Sequence, residues 1–147
     1  MKKIFTLSVV VAALTIFLAS CTRDSGYYGP NENYWLSKER GEVVYSDSYC
    51  SYYVVETIDG YTIMRAYGGY KPSEGSIIYG DLSYEGTRDF YNRSAGFEFS
   101  GTVVDYWLTY SEAQSALDYY CPLKNGAATR TFSKADNGKG TKTFSPK

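Results

Sequence analysis

From Val43 to Cys121 the chain alternates β-forming residues with turn residues, and this pattern restricts its fold more than any other feature. The stretch SYYVVETIDGYTIMRAY carries Asp59-Gly60 between two strand-like runs, which predicts a hairpin because both turn positions favour a positive φ. A two-residue loop there sets Val55 opposite Met64. The hairpin then presents one core face, formed by Tyr53, Val55, Met64 and Ala66. Its other face keeps Val54, Ile58 and Ile63, so it is not simply a solvent face.

Three more segments have strand composition: SIIYGDL, TRDFYN and FEFSGTVVDYWLTY. Gly80 is placed for a bend and Gly101 for a bulge. A helix is predicted in SEAQSALDYYC, where Ser111 and Gln114 match a capping box. Its apolar stripe comprises Ala113, Ala116, Leu117, Tyr120 and Cys121. The sequence therefore predicts a mainly β fold with one C-terminal helix. The sheet is a small antiparallel barrel or a curled sheet, and an OB-fold-like barrel is one candidate.

The charge distribution is uneven along the chain. Residues 21–121 hold seven basic and fifteen acidic side chains, whereas residues 122–147 hold six basic and one acidic. Phosphate binding needs a positive face on the folded part, so this acidic body disfavours a nucleic acid partner. The basic tail, 122–147, is predicted to be disordered. It repeats one pattern, TRTFSK at Thr129 and TKTFSP at Thr141, which is consistent with a weak ribbon or with two docking motifs.

The first twenty residues have the organisation of an export signal. Lys2 and Lys3 precede an apolar run from Ile4 to Leu18, which is short for a membrane span of ~20 residues. The run ends in Leu18-Ala19-Ser20-Cys21. This tetrapeptide resembles the lipobox of bacterial lipoproteins, and the resemblance covers the signal alone.

The resemblance implies that Cys21 receives a diacylglyceryl group, that cleavage occurs before it, and that its new amino group is acylated with a fatty acid such as palmitate. It also implies a lipid-anchored protein of the bacterial cell envelope. Thr22 stands where an aspartate favours inner-membrane retention in that family, so the outer membrane is expected, at its periplasmic face or at the cell surface. Residues 1–20 are then the signal peptide, 21–41 the lipidated cysteine and a flexible tether, and 42–121 the β-rich domain.

With Cys21 lipidated, Cys50 and Cys121 remain as an even pair in an oxidising compartment, which favours a disulfide between them. Two buried free thiols are the alternative. The chain contains no histidine, which excludes histidine-based catalysis and histidine metal sites, and two cysteines are too few for a thiolate zinc cage. No catalytic residue, metal ligand or cofactor is therefore assigned.

Seventeen tyrosines distinguish the composition, and two tryptophans accompany them. Aromatic rings with a polar tip suit binding surfaces and stack on sugar rings. We predict a non-enzymatic binding or structural module whose contact surface for an envelope protein or glycan includes Trp35, Tyr52, Tyr61, Tyr67 and Trp107. The alternative is a histidine-free glycan hydrolase using paired carboxylates, with Asp81 and Glu85 or Glu98 and Asp105 as candidate pairs.

Overall fold

The computed structural model describes residues 29–123 and 131–132. In this part of the chain, two helices and six strands follow in the order α1, β1–β6, α2. Their bounds are α1 Glu32–Leu36, β1 Glu39–Ser46, β2 Tyr52–Thr57, β3 Gly60–Ala66, β4 Ile77–Gly80, β5 Gly86–Asn92, β6 Phe97–Leu108 and α2 Tyr110–Tyr120. The mainly β fold class with a C-terminal helix is confirmed.

The strands close into an antiparallel barrel in the order β1-β2-β3-β6-β5-β4, with β4 paired back to β1. The barrel has six strands, where an OB-fold has five. Two three-stranded meanders, β1–β3 and β4–β6, build the ring. Because β3 and β4 lie on opposite sides of it, segment 67–76 must cross one barrel end. Tyr70 in this segment packs edge-on against Phe97 and Phe99, which closes that end.

The predicted β2–β3 hairpin exists, but its register differs from the expected one. Thr57 pairs with Gly60 and Val55 with Thr62, so the two loop residues are Ile58 and Asp59. Gly60 has a φ of 130° and starts β3. The shift moves each pairing by two positions, and side chains alternate with period two, so the predicted face is kept.

The barrel interior is filled by that predicted core face and by side chains from the other strands. Its buried members are Val43, Tyr53, Val55, Met64, Ile78, Leu82, Phe90, Phe99 and Val103. Gly80 is a position of close approach, because the Phe90 ring occupies the space that a Cβ there would need. The buried hydroxyl of Tyr53 has no hydrogen-bond partner in the described residues, and burial raises the pKa of this phenol.

Strand β6 carries its bulges near its end rather than at Gly101. Gly101 pairs regularly with Ala66 and Arg88, so the predicted bulge at this position is wrong. The register against β3 shifts twice between Val103 and Leu108. Trp107, within this stretch, has a φ of 58°, a value that non-glycine residues adopt uncommonly. The absence of a side chain at Gly101 instead leaves space for the Tyr53 side chain in the barrel interior, because a Cβ at position 101 would lie 3.0 Å from the Tyr53 hydroxyl oxygen.

Helix α2 covers the outside of β2, β3 and β6, and we call this side the α2 wall. Thr109 caps the helix and forms a capping box with Glu112, so the predicted box at Ser111 and Gln114 is two residues too late. The buried side chains that the strands contribute to this interface are Val54, Tyr61, Ile63 and Leu108. Those that the helix contributes are Ala113, Ala116 and Leu117. The helix therefore explains why the second face of the β2–β3 hairpin is apolar.

A disulfide joins Cys121, at the end of α2, to Cys50 in the β1–β2 loop, with the Cα atoms 5.9 Å apart. This is the pair favoured by the cysteine count. Lys71 holds the same loop by donating hydrogen bonds to the carbonyl oxygens of Asp47 and Cys50. Burial lowers the pKa of Lys71. The α2 wall is thus fixed covalently at the end where the loop and segment 67–76 meet.

Helix α1 covers the opposite part of the barrel, and we call this side the α1 wall. Only Trp35 of its five residues is buried, in a cluster with Tyr79 and Tyr91. Because α1 and the first residues of β1 are ordered, the predicted boundary at residue 42 is wrong, and the described part of the expected tether belongs to the folded body. No helix among the described residues is long and apolar enough to cross a membrane.

Several sequence predictions fall outside the described residues. They are the signal, Cys21 with its lipobox, and most of the tail. Phe132 is the exception in the tail: it is buried and belongs to the α2 wall cluster, so at this position the predicted disorder is wrong.

Candidate functional site

An open cleft of about 300 Å³ lies at the edge of helix α1. Its lining combines two aromatic residues with five charged ones: Tyr34, Trp35, Lys38, Asp81, Arg88, Asp89 and Glu98. The aromatic pair comes from α1, and the charged residues come from the chain before β1, the β4–β5 loop, β5 and β6. The cleft therefore depends on segments that are far apart in sequence.

Strand pairing sets the floor of this cleft. Glu98 pairs with Tyr91, and Asp89 pairs with Ser100 on the neighbouring strand. Positions 89 and 91 share the outer face of β5, because Phe90 between them points into the barrel. Trp35 stacks on Tyr91 at 6.3 Å between ring centroids. Helix α1 is thus seated beside a row of carboxylates.

Each carboxylate of the cleft already accepts a hydrogen bond from the protein. The indole Nε1 of Trp35 donates to Glu98 at 2.7 Å, and the Ser100 hydroxyl donates to Asp89 at 2.6 Å. Lys38 donates to Asp81 at 3.3 Å. These contacts fix the orientation of the carboxylates while leaving further lone pairs on each group.

The aromatic and cationic groups of the cleft are also oriented. Tyr34 is 52% exposed and packs edge-on against Trp35. The Lys38 ammonium lies 5.2 Å from the Tyr34 ring centre, and Asp81 raises the pKa of Lys38 through a hydrogen bond and charge attraction. The guanidinium of Arg88 lies over Tyr84, and its buried Nε has no hydrogen-bond partner among the described residues.

The five aromatic residues predicted to form a contact surface do not share one role. Tyr61 is buried, at 1% exposure, so a surface role for it is wrong, whereas Trp35 is 8% exposed and forms part of the lining of the cleft. Tyr52 is half-buried and stacks on Tyr120 beside the disulfide. Tyr67 and Trp107 are exposed, and Trp107 donates to the Ser83 hydroxyl. Of the five, only Trp35 lines the cleft.

The structure separates both predicted carboxylate pairs. Asp81 lines the cleft without Glu85, and Glu98 lines it without Asp105, which accepts a hydrogen bond from Tyr120 on the α2 wall. One member of each pair, Asp81 and Glu98, therefore meets in the same cleft. Asp81 lies in the β4–β5 loop and Glu98 lies in β6, so their separation along the sequence gave no indication that they meet.

Sequence reasoning missed Tyr34, Lys38, Arg88 and Asp89 as residues of the site. One signal was present for Asp89: the segment TRDFYN-RSAG-FEFS reads as a hairpin, and pairing its strands places Asp89 near Glu98 on one face. No pattern in the sequence indicated that α1 would lie against that face.

A second cluster lies at the barrel end opposite segment 67–76. Ser83 donates to the Glu39 carboxylate at 2.9 Å and accepts from the Trp107 indole at 2.9 Å. Burial raises the pKa of Glu39. These hydrogen bonds connect the β4–β5 loop to β1 and β6. The same loop contains Asp81, so they also help to position Asp81 in the cleft.

In the described part of the chain, no three metal-ligating side chains come together as a metal site. No protein-family model, no curated protein and no solved structure matches this chain. The features of this protein that indicate a function are therefore the cleft and the sequence that precedes the described residues.

Proposed function

We propose that this protein is a lipid-anchored lipoprotein of the bacterial cell envelope and that its barrel binds a glycan in the cleft beside α1. The observation that carries the binding proposal is an exposed Tyr34 ring next to three oriented carboxylates in one open cleft. Sugar hydroxyls donate hydrogen bonds to carboxylates, and the faces of sugar rings stack on aromatic rings.

The cleft has the volume of a small-ligand site, and its lining is mostly charged. Its volume of about 300 Å³ is at the lower end of the range for such sites, which suits one or two sugar units. Three carboxylates face two cations in the lining, so an acidic sugar would meet a net negative charge. The proposal therefore favours neutral or amino sugars. The unpartnered Nε of Arg88 supplies a donor for a ligand oxygen that reaches it.

The anchor rests on the lipobox. A cysteine with two or three acyl chains holds a protein at a membrane far more firmly than one chain does. Thr22 after Cys21 supports delivery to the outer membrane, at the periplasmic face or the cell surface. Because α1 begins at Glu32, the segment between Cys21 and the folded body is about ten residues, which is shorter than the sequence alone suggested.

The hydrolase remains the competing function because Asp81 and Glu98 line the same cleft. Both groups are held by protein donors, Lys38 and the Trp35 indole, which supports a receptor role for them. A hydrolase predicts that oligosaccharides are shortened during incubation and that Asp81→Asn or Glu98→Gln stops this while the fold is kept. A binding module predicts intact oligosaccharides in both cases.

The binding test uses the full chain purified in detergent and an array of neutral, amino and acidic oligosaccharides. Tyr34→Ala should reduce binding at least tenfold. Tyr119→Ala is the matched control, because Tyr119 is similarly exposed, at 49%, also packs edge-on against a neighbouring ring, and lies on α2. Equal binding by both variants, or no glycan binding by the wild type, would exclude the cleft as a glycan site.

The anchor is tested separately in cells. Cys21→Ser should abolish labelling by fatty acid and block normal signal cleavage, while Cys50→Ser should still be labelled. A wild-type protein that is cleaved elsewhere and carries no acyl chain would contradict the lipoprotein proposal and leave the glycan proposal standing.

A further inference from the structure

Among the described residues of the tail, which are 122–123 and 131–132, Phe132 is the buried one, and its contacts lie outside the cleft. Its ring lies 5.4 Å from Tyr61 and 5.0 Å from Tyr110, measured between ring centres. The Tyr110 hydroxyl donates to the carbonyl oxygen of Phe132 at 3.2 Å. Phe132 is 7% exposed. The two tyrosines, one on β3 and one at the start of α2, thus form a pocket for an aromatic side chain.

The sequence contains the residues around Phe132 twice. Thr129-Arg-Thr-Phe-Ser133 and Thr141-Lys-Thr-Phe-Ser145 differ only in the second residue, where one cation replaces another. The contacts in the pocket involve the phenylalanine ring and its own carbonyl oxygen. Both copies present these two groups with the same immediate neighbours, so nothing in these contacts distinguishes Phe132 from Phe144.

We propose that the pocket formed by Tyr61 and Tyr110 is a recognition site for the segment Thr-X-Thr-Phe-Ser and that the second copy, residues 141–145, also occupies it. In one molecule the two copies exchange in the pocket. The exchange releases Phe132 from the pocket and changes the length of chain between α2 and the docked phenylalanine.

Loop closure sets the balance between the two copies. Phe132 lies nine positions after Leu123, the last described residue that follows α2, and Phe144 lies twenty-one positions after it. Closure becomes less favourable as roughly the 3/2 power of loop length, so the first copy is favoured by about fourfold. The second copy is therefore a minor occupant of the wild-type pocket and the replacement occupant when Phe132 is removed.

The test compares three full-chain variants by urea denaturation: Phe132→Ala, Phe144→Ala and the double variant. Exchange predicts that Phe132→Ala lowers the folding equilibrium constant by only about fivefold, because Phe144 replaces the lost ring. Phe144→Ala should lower it by less than twofold. The double variant should lose the full contribution of a buried phenylalanine, on the order of a hundredfold or more.

Equal effects of Phe132→Ala and of the double variant would overturn the proposal, and so would a Phe132→Ala protein that does not fold. A double variant that unfolds while Phe132→Ala stays folded supports it. Where the double variant folds, a synthetic TKTFSPK peptide should restore hydrogen-exchange protection to β3 and the start of α2. The same peptide with alanine in place of phenylalanine should not. Failure of the first peptide also overturns the proposal.

Discussion

The helices that cover the two walls of the barrel differ in how much they contribute to the stability of the fold. The α2 wall has an eleven-residue helix, a continuous apolar interface and a disulfide, whereas the α1 wall has a five-residue helix that buries one side chain, Trp35. Burial of apolar area is the main source of stability, so the α2 wall stabilises the fold. The α1 wall keeps oriented polar groups open to solvent, which is what a ligand requires. The main source of stability and the proposed binding site thus lie on different sides of one barrel.

The largest difference between the walls should come from the disulfide. Reduction, or replacement of Cys50 and Cys121 by alanine, opens a loop of about seventy residues, and chain entropy assigns this a loss of at most roughly 4 kcal/mol. Urea denaturation with and without reductant measures it. The double alanine variant should not respond to reductant. Two reactive thiols in the unreduced soluble body on unfolding would show that the bridge is absent.

A matched pair of leucines tests the packing of the two helices. Leu117→Ala on α2 removes a fully buried side chain and should destabilise the protein by about 2–5 kcal/mol. Leu36→Ala on α1 removes a side chain that is 38% exposed and should change stability by less than about 0.5 kcal/mol. Thermal unfolding of both variants gives the comparison. Similar losses would mean that α1 contributes as much stability as α2.

The two tryptophans sharpen the comparison at the level of single hydrogen bonds. Trp35→Phe removes the donor to the Glu98 carboxylate and should lower stability by about 1–2 kcal/mol, toward the lower range for bonds to charged groups because Glu98 is exposed. Trp107→Phe removes a donor to the neutral Ser83 hydroxyl and should lower it by about 0.5–1 kcal/mol.

Glycan binding separates the two variants further. Trp35→Phe should weaken it, because Glu98 loses its fixed orientation, and Trp107→Phe should leave it unchanged. Weaker binding by Trp107→Phe alone would move the site to the cluster of Glu39, Ser83 and Trp107.

The smallest expected effect is a pH dependence of the α2 wall. Burial, together with Asp105, raises the pKa of Tyr120 to about 12, so folding favours the protonated phenol. The contribution of this group is fully present below about pH 10 and is lost as the pH rises through about 12. Because Tyr120 is partly exposed, the loss should be below about 1 kcal/mol. Tyr120→Phe should lack this step in unfolding measured between pH 9 and 12, and Tyr119→Phe should keep it.

Local patterns in the sequence were sufficient for strands β2 to β6, for helix α2 and for the inward face of the β2–β3 hairpin. The hairpin face with Tyr53, Val55 and Met64 is correct even though the register is displaced, since a shift of two positions keeps side chains on the same side. The apolar stripe of α2 is likewise correct, although Thr109 rather than Ser111 caps the helix. Periodicity tolerates such errors in boundaries, because it is averaged over many residues.

The candidate site was not predictable in the same way. Its carboxylates come from a loop and two strands, and its aromatic pair comes from a helix inside a segment that reads as a tether. The sequence predicts a surface position for Trp35 and Tyr61, although the amphipathic character of an aromatic ring fits both a core and a binding face. Only the covering helices decide which face a given ring occupies.

The sequence by itself determined the mainly β class and the inward face of the β2–β3 hairpin, and it favoured the pairing of Cys50 with Cys121, because these follow from composition, period and a count of thiols. The tertiary structure decided that β1 pairs with β4, that Asp81 and Glu98 share a cleft, and that Phe132 is buried between Tyr61 and Tyr110. Each of these contacts joins residues that are distant along the chain. Their energy depends on how six strands close around one core, and no local window of sequence contains that information.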